Sequence, residues 1–185
     1  MLKYALLSFA LSSVFVYAGV LSEEQAIQKG SAVSVALVQK LSSELKGQMQ
    51  MKGAIEALHF CSQNALVLTE QVAKESNAQI KRVSLQNRNP INAANVEEQT
   101  LLRKWEKLGH FGNPLPAYEI RDRSNGEYTY YKPIVINNET CLKCHGDILP
   151  GSALSKEIQT LYPKDKATGY AMGDLRGMIV IHLGK

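Results

Sequence analysis

Two runs, Ala117-Tyr118-Glu119-Ile120-Arg121-Asp122 and Glu127-Tyr128-Thr129-Tyr130-Tyr131-Lys132-Pro133-Ile134-Val135-Ile136, flank Ser124-Asn125-Gly126. Their β-branched and aromatic side chains suit an extended pleat, and Asn-Gly supplies the positive backbone angles that a tight hairpin needs. A further strand is predicted for Met178 to Leu183, where Ile179 and Ile181 alternate after Gly177, and a short one around Ile80, Val83 and Leu85.

Upstream of the hairpin the period is helical. Ser22 followed by Glu23, Glu24 and Gln25 is a capping-box start with acidic residues where the helix dipole favours them. Ala26, Gly30, Val33, Leu37, Leu41 and Leu45 recur at three- and four-residue steps, and Gly47 is the expected stop. A second helix, from about Met51 to about Ser76, carries the stripe Ala54, Leu58, Cys61, Ala65, Leu68 and Val72, so two antiparallel helices are expected. Arg88-Asn89-Pro90 opens a loop, and Val96 to Leu108 returns to helix, with Trp105 beside Leu101, Leu102 and Leu108 and Gly109 as its end. Helices, then a hairpin and a terminal strand with a loop-rich insertion between them, predict an α+β domain with an antiparallel sheet.

Composition narrows the class. In 185 residues, 45% hydrophobic and 21% charged, collagen, a coiled-coil rod and a multi-span membrane protein are excluded. The net charge of +4 is too dispersed for a nucleic-acid groove. Lys3 precedes the uncharged stretch 4–20, which reads as a secretory signal with cleavage after Ala18, leaving residues 19–185 as one exported domain. The rival is an uncleaved anchor, for which the stretch falls short of the roughly 20 apolar residues of a bilayer crossing.

Cys141-Leu142-Lys143-Cys144-His145 carries the chemistry. Two thiols three positions apart can reach the two vinyl groups of one porphyrin, and the adjacent imidazole can then serve as an axial iron ligand, the pattern of one covalently attached haem c. Three rivals compete: a Cys141–Cys144 disulfide, a zinc site recruiting Cys61 and His145, and a thioredoxin-type redox pair. The disulfide and the redox pair leave His145 unexplained. Attachment of c-type haem outside the cytoplasm agrees with the signal, and both point to the periplasm.

If Cys141 and Cys144 form thioethers, Cys61 is an odd cysteine. It lies on an apolar stripe, so it is either a small buried hydrophobe or the second axial ligand. His59, two residues away, is turned by about 200° to the polar face and ranks below it. His110 is expected in a loop, and His182 on an exposed strand position. Met172, among the glycines between Gly169 and Gly173, is a further candidate ligand, whereas Met49 and Met51 read as interhelix packing. A thiolate ligand would favour ferric iron and could leave on reduction, opening a site for a small gas.

Beyond the haem motif, Ala54-Ile55 through Cys61, Val83-Ser84-Leu85, Arg88-Asn89-Pro90, Asn92-Ala93, Pro133-Ile134 and Gly169-Tyr170 with Gly173-Asp174-Leu175-Arg176-Gly177 stand in a specific order. In that order the chain resembles the family of exported c-type haem sensor domains with a PAS-like fold, first known from a cyanobacterial haem protein. The resemblance implies an antiparallel sheet with a long N-terminal helical pair and flanking helices. It also implies haem on Cys141 and Cys144, His145 and Cys61 as axial ligands, and redox or diatomic-gas sensing. Arg82, Arg88 and Arg176 are candidate propionate partners, since a guanidinium fork matches a carboxylate; loop bracing is their alternative. Asp174 with Arg176 is a candidate ion pair, and Tyr170 a candidate core residue.

The function expected is therefore a monohaem redox or gas sensor, responding to O2, NO or CO, with periplasmic electron transfer as the alternative. An enzyme is not expected, because a peroxidase-like site needs a distal acid–base pair and His59 sits on the wrong face. The sequence ends at Lys185, directly after the last expected strand, so output is expected through a separate redox or signalling protein. A homodimer through the stripe Val33/Leu37/Leu41 competes with intramolecular packing of the same residues.

Overall fold

Four strands, β1 (Gln79–Val83), β2 (Glu119–Asp122), β3 (Tyr128–Val135) and β4 (Leu175–Leu183), form one antiparallel sheet in the order β1-β4-β3-β2. The computed structural model describes residues 20–124 and 126–184. The signal assigned to residues 1–18, Asn125 of the hairpin and Lys185 lie outside them.

Alternation along β4 organises the interior, because successive strand residues face opposite sides. Ile179, Ile181 and Leu183 pack on one face with Ala26, Val33, Leu37 and Val72 of the first helical element. Met178 and Val180 pack on the other with Leu101, Leu102 and Trp105. Both faces of the central strand are thus covered by helices, and Val33 and Leu37, read above as a possible dimer stripe, are consumed within the chain. Gly177 lies inside β4 rather than before it, and a Cβ there would meet the Val83 carbonyl of β1 at 2.4 Å.

The expected helical pair is α1 (Glu23–Glu75), and the expected break is displaced. Ser22 closes the capping box, accepting from Gln25 N at 3.2 Å while its own N–H donates to Gln25 Oε1 at 3.0 Å. The helix runs through Gly47 and breaks only at Gly53, with φ 84° and ψ −176°. Gly47 needs no departure from helix, whereas Gly53 adopts a conformation open essentially to glycine alone. Met51 therefore ends the first arm and stands exposed instead of packing between helices. The arms, 23–52 and 54–75, fold back on each other: Lys29 Nζ donates to the Asn77 carbonyl at 3.1 Å, and Val72 shares a core with Ala26.

The second helix, α2 (Val96–His110), begins at an Asn95/Glu98 capping box and continues through Gly109. Two helices stand where a loop-rich insertion was expected: α3 (Glu139–His145) and α4 (Ala153–Leu161). Each is too short for an apolar period to emerge, and their caps, Asn138 and Ser152, were the available signals. The architecture is the PAS-like α+β arrangement expected, with the helical pair on one side of the sheet and α2 on the other. No helix among the described residues is long and apolar enough to cross a membrane.

Substituting Gly53→Ala should lower the stability of the chain by about 1–3 kcal/mol, the strain of a side chain in that backbone region. The shift of the urea midpoint checks this, with Gly47→Ala as the comparison that should stabilise or leave stability unchanged.

Candidate functional site

The cysteine motif occupies α3, whose first turn is set by Asn138 accepting from Thr140 N at 2.8 Å. Its last turn is held by a returning segment: Gly169 N donates to the Gly146 carbonyl at 3.0 Å and Tyr170 N to the His145 carbonyl at 2.9 Å. His145 Nδ1 lies 2.7 Å from the Ala167 carbonyl. A carbonyl only accepts, so Nδ1 carries the proton and the Nε2 lone pair is left for a ligand bond. Burial, then the charges of Arg176 and Arg88, pushes the imidazole pKa down to about 3. His145 is therefore neutral, the form that binds a metal.

Arg88 fastens this assembly. Its Nε and Nη2 donate to Asp165 Oδ1 and Oδ2, both at 3.1 Å, and Nη2 also reaches the carbonyls of Cys144 (2.6 Å) and Ala167 (3.2 Å). The side chains of Arg88 and Asp165 are each 10% exposed. Of the two roles open to Arg88, bracing is the one its contacts describe; these donors are already committed and not free for a propionate.

Between α1, the sheet and α3 lies a cavity of about 350 Å³. Leu41, Leu45 and Leu58 give it apolar walls, Cys61 enters from the second arm of α1, and Cys141, Cys144 and His145 enter from α3. Arg82, Arg88 and Arg176 line it, and among the described residues no aspartate or glutamate does. Arg82 Nη2 reaches the Ala65 carbonyl at 3.4 Å, and Arg176 Nη1 donates to Ser84 Oγ at 2.9 Å and the Gln86 carbonyl at 3.1 Å. The Nε atoms of both are buried without a partner. Burial pulls the pKa of each guanidinium below its usual range, so the pocket holds positive charge at a cost that an anion would relieve.

Cys61, Cys141 and Cys144 are free thiols, so no disulfide joins the motif cysteines. Burial pushes the Cys61 thiol up, as does neighbouring Cys144, while Arg82 and Arg88 oppose the shift. Burial likewise raises the Cys144 thiol. Among the described residues, no three His, Cys, Asp or Glu side chains converge as a group that could hold a metal ion. The cavity instead sets Cys61, the α3 residues and the guanidiniums around one apolar space, with donors suited to a large planar group bearing acidic substituents. That combination fits a haem.

The other candidates lie elsewhere. His59 Nε2 pairs with Glu157 Oε1 at 3.1 Å, joining the second arm to α4. His110 is exposed at the end of α2 rather than in a loop; His182 is exposed on β4, its ring near Thr129 Oγ1. Met172 is 52% exposed and does not line the cavity, whereas Met49 does. Asp174 accepts from Ala171 N at 2.7 Å and makes no pair with Arg176. Tyr170 is half-buried, not core, with its ring edge-on to His145 and beneath the Arg176 guanidinium. Sequence reasoning missed Asp165, the Ala167 carbonyl and Tyr162, none of which belongs to a local motif, and gave Ser84 of Val83-Ser84-Leu85 no role.

The family model described as Tll0287-like matches residues 20–183. The crystal structure of the cyanobacterial heme-protein Tll0287 superposes with a TM-score of 0.66 at 21% sequence identity, covering 89% of this chain and 98% of that one. No curated protein matches.

Asp165→Ala should cost about 3–5 kcal/mol, because it strands a buried guanidinium; urea unfolding measures it. In the unloaded chain, stability should be full above pH 6.5 and fall as pH drops toward about 3, since unfolded His145 takes up its proton first. Comparing urea midpoints across that range with those of His145→Phe isolates the contribution.

Proposed function

Because the chain belongs to the Tll0287-like family, we propose that it is a haem protein, carrying one haem c on Cys141 and Cys144, that senses redox state or a diatomic gas. The observation that carries the reading is the cavity itself: the Cys-x-x-Cys-His helix and Cys61 line one apolar space with two guanidiniums whose buried Nε atoms have no partner, and with no carboxylate, among the described residues. Haem carries the two carboxylates that such donors lack.

When bound, haem would supply a one-electron iron couple. The chain's residues do the rest. His145, neutral and held at Nδ1 by the Ala167 carbonyl, presents Nε2 in one orientation. Cys61 offers a sulfur on the opposing helix. Arg82 and Arg176 fit propionates, and Arg88 keeps α3 against the loop that follows β1.

Exchange at Cys61 is the sensing step. Burial is the largest influence on the thiol and favours its protonated form. Cys61 would hold ferric iron as a thiolate and, with the iron reduced, would take up a proton from solvent and give up its place to O2, NO or CO. Output then passes to a separate redox or signalling protein. The expected c-type attachment and the signal read in the sequence of residues 1–18 support a periplasmic location.

Optical spectra of periplasmically matured protein, ferric, ferrous and ferrous with CO, test this reading. The wild type should show thioether-bound haem and low-spin ferric thiolate ligation that Cys61→Ala lacks, and its ferrous form should take up CO. An unchanged mutant spectrum without CO uptake would remove Cys61 from the iron and leave electron transfer; a protein without haem would sink both readings.

A further inference from the structure

The Ala167 carbonyl serves two donors of unlike charge. His145 Nδ1 lies 2.7 Å from it and Arg88 Nη2 3.2 Å. That Nη2 has two hydrogens for three acceptors, since the Cys144 carbonyl stands at 2.6 Å and Asp165 Oδ2 at 3.1 Å. Asp165 thus competes with the Ala167 oxygen for a guanidinium hydrogen. It also shapes the turn itself, because Oδ1 accepts from Ala167 N at 2.9 Å and from Arg88 Nε at 3.1 Å.

The segment carrying this oxygen is held by other bonds as well. Lys166 N donates to the Asn87 carbonyl at 3.3 Å, and Gly169 N and Tyr170 N tie the following residues to the carbonyls of Gly146 and His145. The contact from Arg88 to the Ala167 oxygen therefore does more than position it. An acceptor on Nδ1–H raises the electron-donating power of Nε2, and a cation drawing on the same acceptor lowers it. A weaker imidazole donor stabilises ferric iron less, and so favours the ferrous form.

We propose that Arg88 tunes the haem iron: by sharing the Ala167 carbonyl with His145 it weakens that histidine as a ligand and raises the reduction potential, and Asp165 limits the effect. This rests on the haem reading. Arg88 acts through His145 and is a positioning residue, not a catalytic one. Arg88 and Asp165 carry opposite charges 3.1 Å apart, so their combined field at a distance is small. The shared oxygen, rather than net charge, transmits the effect.

Potentiometric titration of the periplasmically matured protein tests this, with wild type beside the double variant Arg88→Met/Asp165→Asn, which removes both charges but keeps an oxygen for Ala167 N. The double variant should shift the iron equilibrium toward ferric by about tenfold, the lower range of such outer-shell effects, or about 59 mV for a one-electron couple. In the unloaded chain, the NMR signal of the His145 Nδ1 proton should move downfield as its bond to Ala167 strengthens. Asp165→Asn alone, which releases a guanidinium hydrogen to the Ala167 oxygen, should shift the equilibrium toward ferrous. The double-variant shift should persist in a Cys61→Ala background, which separates it from ligand exchange. A double variant at the wild-type potential, an Nδ1 proton that stays or moves upfield, or a shift confined to chains with Cys61 would overturn the proposal. If the double variant holds no haem, Asp165→Asn decides alone, and a potential at or below that of the wild type overturns it. These outcomes leave the haem reading intact, whereas a wild type without haem refutes that reading and is seen in its spectrum before any variant is compared.

Discussion

The guanidinium of Arg88 joins three parts of the chain that nothing local would bring together: the loop after β1, the Cys144 carbonyl in α3, and the return segment with Asp165 and Ala167. The Ala167 carbonyl that accepts from Arg88 also accepts from His145, so one brace sets the position of the helix and the tautomer of its histidine. A buried ion pair of this kind adds little net stability over an apolar replacement, yet removing either member is costly. Its contribution is to geometry: the motif helix has seven residues and could not hold an imidazole in place by itself.

A second constraint is charge. Three arginines line a cavity to which the described residues contribute no carboxylate, and among those residues only Arg88 finds an acidic partner, in Asp165. Protein interiors rarely keep guanidinium donors unsatisfied, so the unpartnered Nε atoms of Arg82 and Arg176 carry information about what the space is built to receive. The three arginines separate into one paired with Asp165 and two whose Nε atoms lack a partner among the described residues, a division invisible in a list of basic residues.

The helical pair supplies the opposing wall. Its fold-back at Gly53 brings Cys61 of the second arm to the cavity and lets the first arm cover the sheet through Val33 and Leu37. His59, on the other side of the same arm, is fastened to α4 through Glu157, so the two faces of one helix serve cavity and scaffold separately. Tyr162, at the far end of α4, lines the same cavity as Cys61.

Much of this was legible in the residues alone. The three-residue spacing of Cys141 and Cys144 with His145 adjacent, the apolar stripe holding Cys61 apart from His59, the capping box at Ser22 and the alternation along β4 are all local regularities, and local geometry decides them. Gly53 lay outside that reach because both glycines interrupt the same amphipathic pattern, and only closure of the two arms against the sheet selects which one bends. The short helices α3 and α4 gave too few turns for a period to register. Arg88 with Asp165 and His145 with Ala167 were decided by tertiary structure, since they join residues 77 and 22 positions apart and depend on how the sheet and helices close around the cavity.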